Sequence, residues 1–283
     1  MNLRSYTILD VFTDTPLEGN QLAVFAEGTG LSPETMQRTA RELNHSETAF
    51  VFPAESEEHD ARVRIFTPAA ELPFAGHPVL GTAFVLGEHS EASVIRLQTA
   101  AGPVPVALRR HAGTVVYGEM DQPIPVPEPF AAEHELLAAL GVKRSALPVA
   151  AYRNGPVHVY VALGDEDAVR TLRPDLGALA EIGSELGCSC FARGAGHFKT
   201  RMFAPALGVP EDPATGSAAG PLALHLARHG WAEYGRRIEI SQGAEIGRPS
   251  LLHARVEGSD ARVDRVVVGG SAVIVAKGEY RLE

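Results

Sequence analysis

Three ionisable side chains stand where the chain could move a proton: Glu47, His77 and Asp212. Glu47 follows Asn44-His45-Ser46 and borders the apolar run Ala49-Phe50-Val51-Phe52. A carboxyl at that border is partly desolvated, which lifts its pKa above the ordinary glutamate value of about 4.3 and suits it to take up and return a proton. His77 stands in Gly76-His77-Pro78, at a helix start where the positive dipole end favours neutral imidazole. Asp212 precedes Pro213-Ala214-Thr215, in a loop just before a second helix. Each has a plainer alternative: a solvated strand-end glutamate, a capping or packing histidine, a capping aspartate. Glu71 and Glu211 are further ionisable residues near the same helix starts.

Gly76-His77 and Gly216-Ser217 supply the complementary half of a site. A helix start exposes free N–H groups and carries roughly half a positive charge. Glycine there admits close approach of a ligand to the backbone. Two such starts facing one cleft would hold an anion, and a small carboxylate fits better than a phosphate, because no phosphate-loop or dinucleotide glycine pattern is present. The alternative is that both glycines serve helix packing alone. Metal chemistry is not indicated. Cys188 and Cys190 are two residues apart with no partner ligands nearby, and read as core thiols. His225 and His229 have helical i, i+4 spacing without a carboxylate partner.

The elements that would position these residues follow from the pattern of the chain. Tyr6–Phe12 and Gln21–Phe25 read as strands joined by the turn-forming stretch Pro16 to Asn20. Ser32 and Pro33 open a helix running to Leu43. Glu47–Phe52, Arg62–Phe66, Gln98–Arg109 and Thr114–Met120 read as further strands. Gly76–Leu86 is a helix with hardly a polar residue, so it must be buried on all sides, and a sheet wrapped around it achieves that. The later part repeats the plan: Ala151–Leu163 holds Asn154-Gly155-Pro156 followed by a strand, and further strands lie at Phe198–Phe203, Arg237–Ser241, Leu251–Glu257 and Arg262–Gly269. A second apolar helix, Gly216–His229, is ended by Gly230.

The repeat is visible residue by residue. Arg64-Ile65-Phe66-Thr67-Pro68, then Leu72-Pro73, leads to Gly76-His77; Arg201-Met202-Phe203-Ala204-Pro205, then Val209-Pro210, leads to Gly216-Ser217. The alternating prolines of Asp121–Pro129 exclude a helix and a central strand, and read as an extended linker between two domains, 1–127 and 128–283. The expected fold is therefore α+β: two pseudo-symmetric domains, each a mostly antiparallel sheet rolled around a central helix, with the site in the cleft between them.

Composition sets the outer bounds. The 283 residues are 45% hydrophobic and 21% charged, ordinary for a globular chain, and the formal net charge is −10 with no basic stripe. Nucleic-acid binding is not expected of such a surface. No apolar run reaches the roughly 20 residues of a membrane span, and the start Met-Asn-Leu-Arg-Ser-Tyr lacks a signal-peptide pattern. A cytoplasmic protein is expected.

Several stretches carry a resemblance to a known family: Pro16-Leu17-Glu18-Gly19-Asn20, Ser46-Glu47-Thr48, Glu71-Leu72-Pro73-Phe74-Ala75-Gly76-His77-Pro78, Glu211-Asp212-Pro213-Ala214-Thr215-Gly216-Ser217 and Gln242-Gly243-Ala244-Glu245-Ile246-Gly247-Arg248-Pro249-Ser250. In this order they resemble the motifs of the PhzF family, whose fold is similar to that of diaminopimelate epimerase. The resemblance implies isomerisation without a metal or organic cofactor, and a homodimer. It implies Glu47 as acid/base, His77 and Asp212 as its polar partners, Gly76, Gly216 and Ser217 near a substrate carboxylate, and Ser46 and Asn20 beside the ligand. Met120–Pro125, Ala218–Ala223 and His225–Gly230 are similar to the members that convert trans-2,3-dihydro-3-hydroxyanthranilic acid to its aminoketone isomer by moving hydrogen from C3 to C1. Pro213 and His45 depart from that subgroup, which leaves open an isomerase or epimerase acting on another small amino or hydroxy acid. The epimerase relatives use paired thiols; neither glycine-led helix start here carries a cysteine, so one base is favoured over two. A carboxylate-binding protein without turnover is the alternative of a different class.

Overall fold

The computed structural model describes residues 2–282. The chain runs β1 (Asn2–Val11), β2 (Asn20–Phe25), α1 (Pro33–Leu43), β3 (Glu47–Phe52), β4 (Ala61–Phe66), β5 (Glu71–Leu72), α2 (Gly76–Gly87), β6 (Val94–Thr99), β7 (Gly102–His111), β8 (Thr114–Gln122) and β9 (Val126–Glu128). It continues with α3 (Glu133–Leu140), β10 (Ala150–Arg153), β11 (Val157–Ala162), α4 (Glu166–Arg170), α5 (Leu176–Ile182), β12 (Leu186–Arg193), β13 (Phe198–Ala204) and β14 (Val209–Asp212). Last come α6 (Gly216–Arg228), β15 (Ile238–Gln242), β16 (Ser250–Gly258), β17 (Val263–Gly270) and β18 (Ala272–Leu282).

Strand pairing repeats element for element. In the first half β1–β2 is antiparallel, β2–β3 parallel, β3–β4 and β4–β5 antiparallel, β4–β6 parallel, and β6–β7 and β7–β8 antiparallel. From β10 to β17 the same sequence of pairings recurs. The final strands are exchanged: β9 pairs with β10, and β18 pairs along its length with β1. A further antiparallel pair, β8–β17, joins the halves directly. Each closing strand thus completes the other half's sheet, which ties the halves together by backbone hydrogen bonds as well as by packing.

The helix inferred from unbroken apolarity is where that argument puts it. α2 is buried from Gly76 to Val85 and packs on β1, β2, β3, β6, β7 and β8. α6, likewise buried from Gly216 to Leu226, packs on β11, β16 and β17. The mostly antiparallel sheet curls around both, and the α+β architecture is as expected. Ser32 caps α1 by accepting a hydrogen bond from the Thr35 amide at 3.1 Å.

One strand reading is corrected. Gln98–Arg109 is not a single strand but parts of two, β6 and β7, paired antiparallel across a turn at 100–101. Gly102 there has φ +115, a backbone state natural only to glycine. The linker expected over Asp121–Pro129 is also shorter than read: Asp121 and Gln122 end β8, paired with β17, and Pro127 joins the sheet within β9, a three-residue strand that pairs with β10, which leaves 123–125 between the two strands.

Candidate active site

The two helix starts meet. A Cβ built on Gly76 would lie 2.5 Å from the carbonyl carbon of Gly216 and 2.6 Å from the Ser217 nitrogen. Only glycine permits that approach. Neither start has a side-chain cap, so no N-cap side chain takes up their first N–H groups. Thr215, the N-cap of α6, instead donates its hydroxyl to Asp212 Oδ2 at 2.6 Å.

Asp212 is the centre of the polar network between the halves. Its Oδ1 accepts from Asn20 Nδ2 at 2.8 Å and from Ser46 Oγ at 2.7 Å, both from the first half. Asn20 also donates to the Ala214 carbonyl at 2.8 Å and lies 3.3 Å from His77 Nδ1. Gln242 Nε2 holds the Asp212 carbonyl at 2.8 Å. Burial raises the Asp212 pKa, while the hydrogen bonds from Thr215, Ser46 and Asn20 pull it back toward the ionised form.

Glu47 sits at the start of β3, its side chain 13% exposed, with Oε2 3.2 Å from His77 Nδ1. Its Oε2 has no hydrogen-bond partner among the described residues. Burial, and then the negative charge of Asp212, push its pKa well above the usual carboxylate range. Burial also lowers the His77 pKa to about 3; the nearby His45 adds to this and the Gln21 backbone opposes it. The imidazole is therefore neutral, as expected, though desolvation rather than the helix dipole is the main cause. Glu71 and Glu211 are not part of this network. They form two-point ion pairs with Arg64 and Arg201, at 2.7 and 2.6 Å in the first half and 2.8 and 2.7 Å in the second.

Glu47, Asp212, Thr215 and Ser217 face a common cavity of about 20 Å³, together with His158 and an apolar wall that includes Leu72, Pro156 and Met202. Asn20, Ser46 and His77 stand behind the lining residues and hold them. Gly76 and Gly216 touch each other and do not line the cavity. That volume accommodates about one water molecule, so a ring-sized ligand requires the halves to part.

Sequence reasoning missed the residues that hold the backbone of the first turn of α6. Pro221 inside α6 has no N–H to offer the Ser217 carbonyl four residues back. Asn154 Nδ2 donates to that carbonyl instead, at 3.2 Å. Gln122 Nε2 donates to the Gly216 carbonyl at 2.8 Å, and Tyr160 OH to the Ala218 carbonyl at 2.8 Å. The available signal was a polar residue in an otherwise apolar strand, His158 between Val157 and Val159, and a proline in a buried helix.

Fold and site together define a duplicated α+β protein with two desolvated carboxyl groups, Glu47 and Asp212, at a cavity beside a pair of abutting helix starts. The family model for phenazine biosynthesis-like proteins matches residues 9–278, and the chain belongs to this PhzF family. It is 51% identical to the trans-2,3-dihydro-3-hydroxyanthranilate isomerase of Pseudomonas aeruginosa, over 99% of this chain and 100% of that one. Among solved structures, a PhzF-family phenazine biosynthesis protein from Bacillus anthracis superposes with TM-score 0.84 at 26% identity, over 99% of this chain and 100% of its own. A Pseudomonas aeruginosa protein described as a predicted epimerase gives TM-score 0.82 at 32% identity, over 98% and 99% of the two chains.

Proposed function

We propose that this chain isomerises trans-2,3-dihydro-3-hydroxyanthranilic acid to its aminoketone, with Glu47 carrying the proton from C3 to C1 on one face of the ring. The observation that carries the reading is the state of Glu47. A carboxyl group with a raised pKa and an unpartnered oxygen, at the wall of a shared cavity, is suited both to remove a proton and to give it back. Neutral His77 beside it and the Asp212 network would orient the substrate's polar substituents. Ser217 and the backbone at Gly76 and Gly216 would receive the carboxylate once the halves separate.

Duplication makes the site one-sided, which favours a single base. Arg64 pairs with Phe50 in the first half and Arg201 with Cys190 in the second, so Glu47 and Gly187, each three residues earlier on its strand, are equivalent positions. Both line the cavity. At this position one half contributes a carboxyl group and the other no side chain. We read the reaction as proton transfer by side chains alone, in a homodimeric, cytoplasmic enzyme without metal or organic cofactor, as family membership suggests.

Incubating the protein with this substrate in D₂O is the direct test. Deuterium at C1 of the product, partly replaced by hydrogen carried over from C3, is expected of one carboxyl group serving both positions. Absence of turnover would remove the assignment. Turnover of a different amino or hydroxy acid would move the protein to another substrate within the family.

A further inference from the structure

Behind Ser217 lies a buried imidazole that the chemistry above does not use. His158, on β11, is 2% exposed and places Nε2 3.0 Å from Ser217 Oγ. Its Nδ1 is buried and has no partner among the described residues. The facing residue on β12 is Gly187, in register with His158, and a Cβ there would stand 2.7 Å from Nδ1. The position equivalent to Glu47 thus lacks a side chain, and the ring of His158 occupies the room a side chain there would need.

We propose that His158 is a positioning residue that turns the Ser217 hydroxyl toward the substrate carboxylate: its Nε2–H donates to Ser217 Oγ, leaving the Ser217 O–H directed into the cavity. The proposal rests on the substrate reading above, which supplies the carboxylate. Two tautomers are open to an uncharged ring. With the proton on Nε2, the unpaired atom at Gly187 is an acceptor. With the proton on Nδ1, a buried N–H is orphaned against the β12 backbone, and Ser217 must give its own proton to the imidazole. Ser217 then has nothing to offer an anion. Burial holds the ring uncharged, with a pKa of about 4, so it carries a single proton at neutral pH and only one nitrogen donates. The Ser217 carbonyl is fixed separately by Asn154, so the imidazole sets the hydroxyl rather than the helix start as a whole.

Two measurements on the full-length protein test this. Nitrogen-15 spectra of the histidine rings at pH 7, with His158 identified by its loss in a His158→Gln variant or by through-bond assignment, are expected to show a protonated Nε2. A protonated Nδ1 overturns the proposal. Calorimetric titration with anthranilate as the carboxylate probe gives the second reading. His158→Phe and Ser217→Ala are each expected to weaken binding by about tenfold or more, as for loss of a hydrogen bond to a charged group. The double variant is expected to be no weaker than Ser217→Ala alone. Wild-type affinity in His158→Phe, or losses that multiply in the double variant, overturn the proposal. Should His158→Phe fail to fold, the wild-type tautomer still decides. Turnover of the dihydro acid by wild type is assayed in parallel; its absence would sink the substrate reading while leaving the tautomer and the anthranilate cycle to be read on their own.

Discussion

Gly76 and Gly216 begin the two buried helices with their backbones in contact, closer than any side chain would allow. The relationship makes each glycine a condition for the other's position. Gly76→Ala forces a methyl group onto the Gly216 carbonyl carbon, with backbone rather than a flexible side chain as the obstacle. Overpacking of this kind costs about 1–3 kcal/mol. The expected outcome is an unfolding free energy lower by that amount in urea titrations, together with loss of anthranilate affinity, because the helix starts move apart. A variant with wild-type stability and affinity would show that the contact is dispensable.

Glu47→Gln separates catalysis from folding. Removing the acid/base should lower kcat by about 10²–10⁴-fold. Stability should move the other way at high pH. The folded-state pKa of Glu47 is raised, so the native state binds a proton more readily than the unfolded chain. The associated stability is full below the unfolded pKa and is lost as pH rises through the folded value. The amide carries no such penalty. Denaturation curves of variant and wild type should therefore coincide near pH 4 and diverge toward pH 8, with the variant more stable. An equal difference at both pH values would contradict the desolvated state assigned to Glu47.

Much of this site was legible before any coordinates. The all-apolar stretch after Gly76 could only be a helix inside a sheet, and Arg-x-Phe-x-Pro recurring ahead of each glycine revealed the duplication. Glu47 at an apolar border implied its raised pKa. Other features depend on partners far along the chain. The exchange of β9 and β18 between halves is a choice of pairing that strand periodicity does not encode. His158 and Ser217 are 59 residues apart, and nothing local to either predicts the hydrogen bond. The break within Gln98–Arg109 was missed because the turn at 100–101 consists of alanines, and the one marker, Gly102, lies just after it.

Three buried histidines should make the fold acid-sensitive. Burial lowers His77 to about 3 and both His158 and His225 to about 4. His225 lies outside the cavity, in an aromatic nest of Tyr152, Tyr160 and Phe191. Each group is depressed in the folded state, so the unfolded chain binds the extra proton. Stability is complete above the unfolded histidine value near 6.5 and falls as pH drops toward the folded values. The slope reaches about 1.4 kcal/mol per pH unit for each histidine. The raised carboxyl groups of Glu47 and Asp212 partly offset it. His225→Phe should flatten the dependence between pH 6 and 4.5 by about one proton while leaving the Glu47 site intact. Urea titrations across that range, compared with wild type, check the slope; an unchanged slope would mean that His225 is protonated in the native state.

The repeated Arg–Glu pairs provide an internal comparison, since the same two-point geometry occurs at two depths. Arg64 and Glu71 are 22% and 40% exposed, whereas Arg201 and Glu211 are 7% and 13% exposed. Arg201 also donates to the backbone carbonyl of Leu172 at 2.9 Å and packs over the Phe203 ring. Water can replace the lost partner at the first site, so Glu71→Gln should cost about 0–1 kcal/mol. At the second site the guanidinium would be left buried with its charge unpaired, and Glu211→Gln should cost about 3–5 kcal/mol. The two substitutions are chemically identical and occupy equivalent places in the repeat, so a difference in their denaturation midpoints isolates burial as the cause. Because β14 carries Glu211 next to Asp212, the deeper loss should also reduce turnover, while Glu71→Gln should leave it near wild type. Equal costs at the two sites would mean that solvent reaches Arg201 as freely as Arg64, and that the pair does not anchor the strand bearing Asp212.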